Sequence, residues 1–264
     1  MEVIKIFKIS GNIIDDAEKL AQFLQLFASV PGKKLLVHGG GKLATRMAQD
    51  LGIEQQMIDG RRVTDAATLK IVTMVYAGYI NKNVVAALQA QGVNAIGLSG
   101  ADGNVIPANK RPLKNGIDYG FVGDVVQGMS VDTLKLLIDN NLVPILCPIT
   151  HDGNGNLLNT NADTIAQEIA KSLSQHYWVD LIYTFEKKGV LLDVNDDASV
   201  IPVIDTVSFE QLKADKVIFE GMIPKLENAF EAINNGVKSV TIGMAEELVA
   251  LTQGLSGTKI VAQQ

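Results

Sequence analysis

Short apolar runs alternate with segments of helical period from one end of this sequence to the other, and several of the runs stop at glycine. Lys34–His38 is the clearest case. It reads as a strand, runs into Gly39-Gly40-Gly41, and is followed by Leu43, Met47 and Leu51 at four-residue spacing, which marks a helix. The other strand runs are Glu2–Lys8, Ala95–Leu98, Val143–Ile149, Val179–Phe185, Ser239–Ile242 and Lys259–Val261. Asp15 and Glu18 make a capping-box-like start for a helix carrying Leu20, Leu24 and Phe27. A long helix is expected from Asp65 to Gln91, striped by Leu69, Val72, Tyr76, Ile80, Val84 and Leu88. Further helices are expected with Ser130 as cap, over Ala162–Leu173, and from about Pro224 to Gly236, since proline suits the first helical position. Asn104–Gly128 has no helical period and several glycines, so hairpins are expected there. This alternation implies an α/β fold, a three-layer α/β/α sandwich on a mostly parallel central sheet.

Composition excludes several classes. The formal charge of -6 and the lack of a long basic run argue against a nucleic-acid partner. A single cysteine, Cys147, leaves no internal disulfide and no thiolate-cluster metal site. It lies in the apolar run Leu142–Ile149, which suits a buried structural thiol better than a nucleophile. His38, His151 and His176 have no metal-ligand spacing, so no resident metal is expected. No stretch approaches about 18 uninterrupted apolar residues, and no leader pattern opens the chain. A cytoplasmic protein without a membrane span is the expectation.

A strand entering a helix through glycines is a ready anion site, because free backbone N–H groups and the helix dipole both favour negative charge. The phosphate-loop pattern fails, however: its first glycine would fall on Leu36 and its Ser/Thr on Leu43. A dinucleotide fingerprint needs a glycine near Met47 and finds none, which argues against a dehydrogenase. A tight turn packed on a neighbour is the plain alternative. Lys8-Ile-Ser-Gly-Asn12 and Ser99-Gly-Ala-Asp-Gly103 end two other strands in similar turns. In open α/β sheets ligands sit at the carboxyl ends of strands, so these turns point to one shared cleft.

Taken in order, Lys8-x-Ser-Gly11, Val37-His-Gly-Gly-Gly41, Gly60-Arg-Arg-Val-Thr64, Gly97-Leu-Ser-Gly100, Asn159-Thr-Asn-Ala-Asp163 and Gly221-Met-Ile-Pro-Lys225 resemble the acetylglutamate kinases of the amino acid kinase superfamily. The resemblance covers essentially the whole chain. It implies transfer of a phosphoryl group from ATP, with Mg²⁺ accompanying the nucleotide, to the side-chain carboxylate of N-acetyl-L-glutamate, on the route to arginine. A carboxylate of ordinary pKa ~4.3 is already ionised and needs no general base. Bringing one anion to another needs positioning and charge instead.

The resemblance implies Lys8, Asp163 and Lys225 as the catalytic set, with Asp163 holding both ammonium groups. It implies Gly40, Gly41, Arg62 and Asn159 as substrate contacts, with Asn161 bracing the turn and Arg61 a solvated neighbour. Ser10 and Gly11 would bind phosphate. Nucleotide contacts would be Glu186, Lys187, Lys188, Gly189, Val190, Leu191, Val217, Ile218 and Phe219. Here the chain departs from the pattern: Thr-Asp-Val-x-Gly-Val is usual, and Thr184-Phe-Glu-Lys-Lys-Gly-Val190 stands in its place. The resemblance also implies residues 1–172 as an amino-acid-binding and dimerisation lobe and 173–264 as a nucleotide lobe. A homodimer insensitive to arginine follows, with the long helix either core or dimer contact. The acyl group stays open between acetyl and a larger one such as succinyl, for which Arg61 would then matter. The alternatives are a glutamate 5-kinase, a carbamate kinase, or a catalytically idle amino-acid sensor.

Overall fold

The central sheet is built from β1 (Val3–Lys8), β2 (Lys33–Val37), β3 (Ala95–Leu98), β4 (Val143–Leu146), β5 (Trp178–Phe185), β6 (Val203–Ile204), β7 (Ser239–Met244) and β8 (Thr258–Ile260). In the computed structural model, which describes residues 1–58, 61–113, 115–193, 195–215, 217–218 and 222–262, these eight strands lie in the order β6-β8-β7-β5-β1-β2-β4-β3. All neighbouring pairs are parallel except β7 with β8. Among the described residues the helices longer than one turn are α1 (Ala17–Ser29), α2 (Gly41–Asp50), α3 (Ala66–Gln89), α4 (Asp132–Asp139), α5 (Ala162–Leu173), α6 (Thr206–Ala214), α7 (Ile223–Asn234) and α8 (Leu248–Gln253).

Successive side chains of the central strands enter two different cores. Ile4, Ile6, Leu35, Val37 and Leu181 pack with Ile165 and Ile169 of α5 and Leu226 and Phe230 of α7. Phe7, Leu36 and Ile182 pack on the other side with Phe23, Leu24 and Phe27 of α1, Val72 and Leu88 of α3 and Leu248 of α8. Strands buried on both faces read as continuous apolar runs, which is why these were visible in the sequence. The three-layer α/β/α architecture is therefore the one expected. One sheet runs through both halves of the chain, because β1 pairs with β5 along its whole length.

Several local readings change. Asp16, not Asp15, caps α1, accepting from the N–H groups of Glu18 and Lys19. Asp15 turns inward, where burial raises its carboxyl above the ordinary range and Arg46, at 3.8 Å, opposes the rise. The fully buried residues of α2 are the small Ala44 and Ala48; Leu43 and Met47 are partly buried and Leu51 is exposed. The run Val143–Ile149 is two elements. Its continuation crosses Pro148, which has no N–H to give a ladder, and Ile149–His151 pairs instead with Leu157–Asn159. Ser130 lies one residue outside the cap position of α4, although its Oγ accepts the Asp132 N–H at 3.3 Å. The expected hairpin region forms one, Ala108–Lys110 against Gly123–Val125.

The long helix α3 contains a π segment, Met74–Ile80. By length and composition α3 could cross a membrane, but Ile71, Val72, Val75, Ile80, Val84 and Leu88 are all buried in the second core. It is a core helix here.

Candidate active site

Three elements meet at the carboxyl ends of the central strands. β1 ends at Lys8, and its ammonium lies 2.7 Å from Asp163 Oδ1. Asp163 sits in the first turn of α5, whose start is fixed by Asn161 accepting the N–H groups of Asp163 and Thr164. Asn161 thus braces the turn. Lys225 sits in the first turn of α7 and places its ammonium over the ring of Phe185, 4.2 Å from the centroid. Among the described residues Lys225 makes no ion pair, so the Asp163 carboxylate pairs with Lys8 and not, as expected, with both ammonium groups. Partial burial pushes Lys225 below the ordinary lysine range; Asp163 opposes this at longer range and Lys8 adds to it.

The glycine turn follows β2. Gly40 has φ +148°, and a methyl group there would overlap Ile80 Cδ1 and press on Tyr76 at 3.2 Å. Both are residues of the π segment of α3. An extra residue per turn shifts the side chains that follow, and such segments recur at functional sites. Arg62 reaches the turn from the short pair Arg61–Arg62 with Met57–Ile58. Its Nη2 donates to Gly41 O at 2.9 Å and to Thr45 Oγ1 at 2.9 Å, and its Nη1 donates to Gln55. Arg61 is exposed. Asn159 joins from the other side, donating from Nδ2 to Thr64 Oγ1 at 3.0 Å. Arg62 thus holds the Gly40-Gly41 turn directly, and Asn159 is linked to it through Thr64, whose hydroxyl donates to Arg62 O at 3.4 Å.

Behind the turn lies His38, fully buried. Its Nδ1 donates to Gly39 O at 2.8 Å, and its Nε2 faces the Asn81 amide at 3.1 Å. Asn81 also donates to Ile145 O at 2.9 Å. The ring is thus held as the neutral Nδ1–H tautomer. Burial lowers its pKa from 6.5 to about 4, with the bond to Gly39 opposing and Lys82 assisting. An unfolded His38 takes up its proton near pH 6.5, whereas the folded one does so only near 4. Stability is then lost as pH falls from about 6.5 towards 4, by on the order of 2–3 kcal/mol. His38→Gln is expected to shrink that loss, read as urea midpoints compared at neutral and acid pH. Cys147 is also fully buried, and burial pushes its thiol up to about 12, which makes it unreactive.

A cavity of about 520 Å³ is lined by Lys187, Gly189, Val190, Leu191, Leu192, Asp193, Val217, Ile218 and Met222. Most of the expected nucleotide contacts meet there. Leu192, Asp193 and Met222 were not among the expected nucleotide contacts, although Leu192 and Asp193 follow directly on Glu186–Leu191 and Met222 lies in the quoted Gly221–Lys225 motif. Glu186 and Lys188 do not line it. Glu186 instead accepts from the Asn12 amide, and Asn12 accepts from Lys42, so a polar chain links the turns after β1 and β2 to the turn after β5. Phe219 lies outside the described residues, as do Gly60 and Gly221. A larger cavity, about 710 Å³, opens beside Gly32, Lys33 and Asn141 and contains none of the expected site residues.

A model of the amino acid kinase family matches residues 4–243. An acetylglutamate kinase from Cytophaga hutchinsonii is 56% identical over 264 residues, covering 99% of this chain and 100% of its own. The chain belongs to the amino acid kinase family, in its acetylglutamate kinase branch. A second acetylglutamate kinase, from Bacteroides thetaiotaomicron, is 58% identical over 247 residues, 94% of this chain and 95% of that one. This amino acid kinase also shares its fold with an N-acetylglutamate synthase from Neisseria gonorrhoeae solved with coenzyme A and N-acetyl-glutamate. The TM-score is 0.81 at 20% identity, over 99% of this chain and 60% of the synthase chain. At that identity the likeness speaks for the fold alone.

Proposed function

We infer that this acetylglutamate kinase relative transfers the terminal phosphoryl group of ATP to the side-chain carboxylate of N-acetyl-L-glutamate, giving an acyl phosphate on the route to arginine. The observation that carries the reading is the pairing of Lys8 with Asp163 at the tip of β1, with Lys225 close enough to feel both charges, together with an arginine-braced glycine turn and a mainly apolar cavity lined by the expected nucleotide stretches.

The site fits a phosphoryl group. Ser10 Oγ is buried with no hydrogen-bond partner among the described residues, beside Gly11, and a phosphate oxygen would satisfy it. ATP supplies an activated phosphoryl group, and Mg²⁺ would travel with it, held mainly by phosphates and water. Val190, Leu191, Val217 and Ile218 would pack on the base, with Lys187 at the edge. Lys8 would face the transferring group and Lys225 the leaving side, so that charge developing on oxygen meets fixed ammonium groups. Asp163 keeps Lys8 in place without itself exchanging a proton. Gly40 and Gly41 would admit the amino-acid chain close to backbone, Arg62 would grip a carboxylate with its fork, and Asn159 would orient the acyl-amino end.

Arg62→Lys is expected to raise KM for the amino-acid substrate by about 10–50-fold with a smaller change in kcat, because a point charge replaces a planar fork. Steady-state kinetics at saturating Mg·ATP measure both. We also infer a homodimer; the exposed Met74 and Tyr79 on α3 are the residues offered for contact. The function itself is tested by trapping acyl phosphate with hydroxylamine, offering N-acetylglutamate, N-succinylglutamate and free glutamate in parallel. Hydroxamate from N-acetylglutamate is the expected result. Hydroxamate from the succinyl compound alone would change the acyl group, and Arg61→Ala would then be compared. None from any acceptor would leave an idle sensor.

A further inference from the structure

The departure Phe185-Glu186 has a structural counterpart at the site. Phe185 ends β5 and lies on the same face as Tyr183, two residues earlier. Their rings stack at 6.4 Å with 29° between planes. The Tyr183 hydroxyl donates to Asp163 O at 3.3 Å, which ties this aromatic pair to the first turn of α5. The Lys225 ammonium lies over the outer ring of the pair, 4.2 Å from its centroid. We propose that Phe185 is a positioning residue for phosphoryl transfer, its ring face holding the Lys225 ammonium where the leaving side of the reaction needs it. The proposal rests on the function inferred above.

The argument is one of charge. A lysine in an active site must be held, yet its charge must remain available. Asp163 is engaged by Lys8 at 2.7 Å, and among the described residues no second carboxylate pairs with Lys225. A carboxylate in contact would hold the ammonium but cancel the charge it is meant to offer. An aromatic face attracts the ammonium through its quadrupole, carries no net charge, and accepts no conventional hydrogen bond. Among the described residues no oxygen accepts from Lys225, so the N–H donors turned away from the ring are available to phosphate oxygens. The ring also favours the ammonium form. Among the described residues the other charged groups acting on Lys225 are Asp163 from α5, which favours that form, and Lys8 from β1, which disfavours it.

The test compares Phe185→Leu and Phe185→Tyr with the parent enzyme in the hydroxylamine assay across pH. Phe185→Leu keeps an apolar side chain and removes the π face. It is expected to lower kcat about three- to tenfold while leaving both KM values within about twofold. It should also shift the alkaline limb of kcat to lower pH, since partial burial and Lys8 then act on Lys225 with less opposition. Phe185→Tyr should restore both. Melting curves of the two variants should coincide with the parent. The idea is overturned if Phe185→Leu keeps the parental kcat and limb, if kcat falls with the limb unmoved, or if Phe185→Tyr behaves as Phe185→Leu does. A parent enzyme that forms no hydroxamate would instead sink the proposed function, before any variant is compared.

Discussion

Lys8→Met is expected to lower kcat by about 10²–10³-fold while KM for ATP and for the N-acyl-glutamate changes little. The ammonium of Lys8 is fixed at the tip of a central strand and by Asp163, so it costs no reorganisation when charge moves through the transferring group. Methionine keeps the length and the packing and removes only the charge. A rise in KM with kcat unchanged would show that Lys8 binds the ground state as strongly as the transition state, and would remove it from the catalytic set. Removing the lysine also leaves Asp163 without its contact partner. The double variant with Asp163→Asn should therefore fall less than the product of the two single effects.

Gly40→Ala is expected to damage both stability and binding. The backbone at φ +148° is a conformation open essentially to glycine, and the added methyl meets Ile80 and Tyr76 as well. Strain and overlap together should cost about 2–5 kcal/mol. Any relief must come from moving the turn outward, towards Arg62, so KM for the amino-acid substrate should rise along with the loss in stability. Urea unfolding and steady-state kinetics on the same preparation check the two together. A stable variant with unchanged KM would show that the turn is a packing feature and not a substrate cradle.

Much of the fold was legible because its central strands are buried on both faces. Ile4, Phe7, Leu36, Leu181 and Ile182 made runs that turn chemistry then bounded. What escaped had weak local signals. The strand β6 has two residues, and the helices α6 and α8 are short and carry few apolar side chains inward. The π segment of α3 leaves no mark in a periodicity that stays nearly helical, yet it sets Tyr76 and Ile80 against Gly40. The site residues were legible through motif spacing, because Lys8, Gly40, Arg62 and Asn159 each stand beside glycine or asparagine turns. The partner of Lys225 was not legible in the same way. Phe185 was visible as a departure from the family pattern, but only the register of β5 against its neighbours brings its ring beneath the ammonium.

The pairing of Val3 with Trp178 has a consequence for how the chain is made. One edge of β1 can be covered early by β2, but the other waits for a strand that emerges about 175 residues later. At ordinary synthesis rates of about 5–20 residues per second, that is roughly 10–35 s with an apolar strand edge open. A nascent chain of this protein should therefore need shielding until Phe185 has left the ribosome, and truncation before β5 should yield an aggregating fragment rather than a folded half.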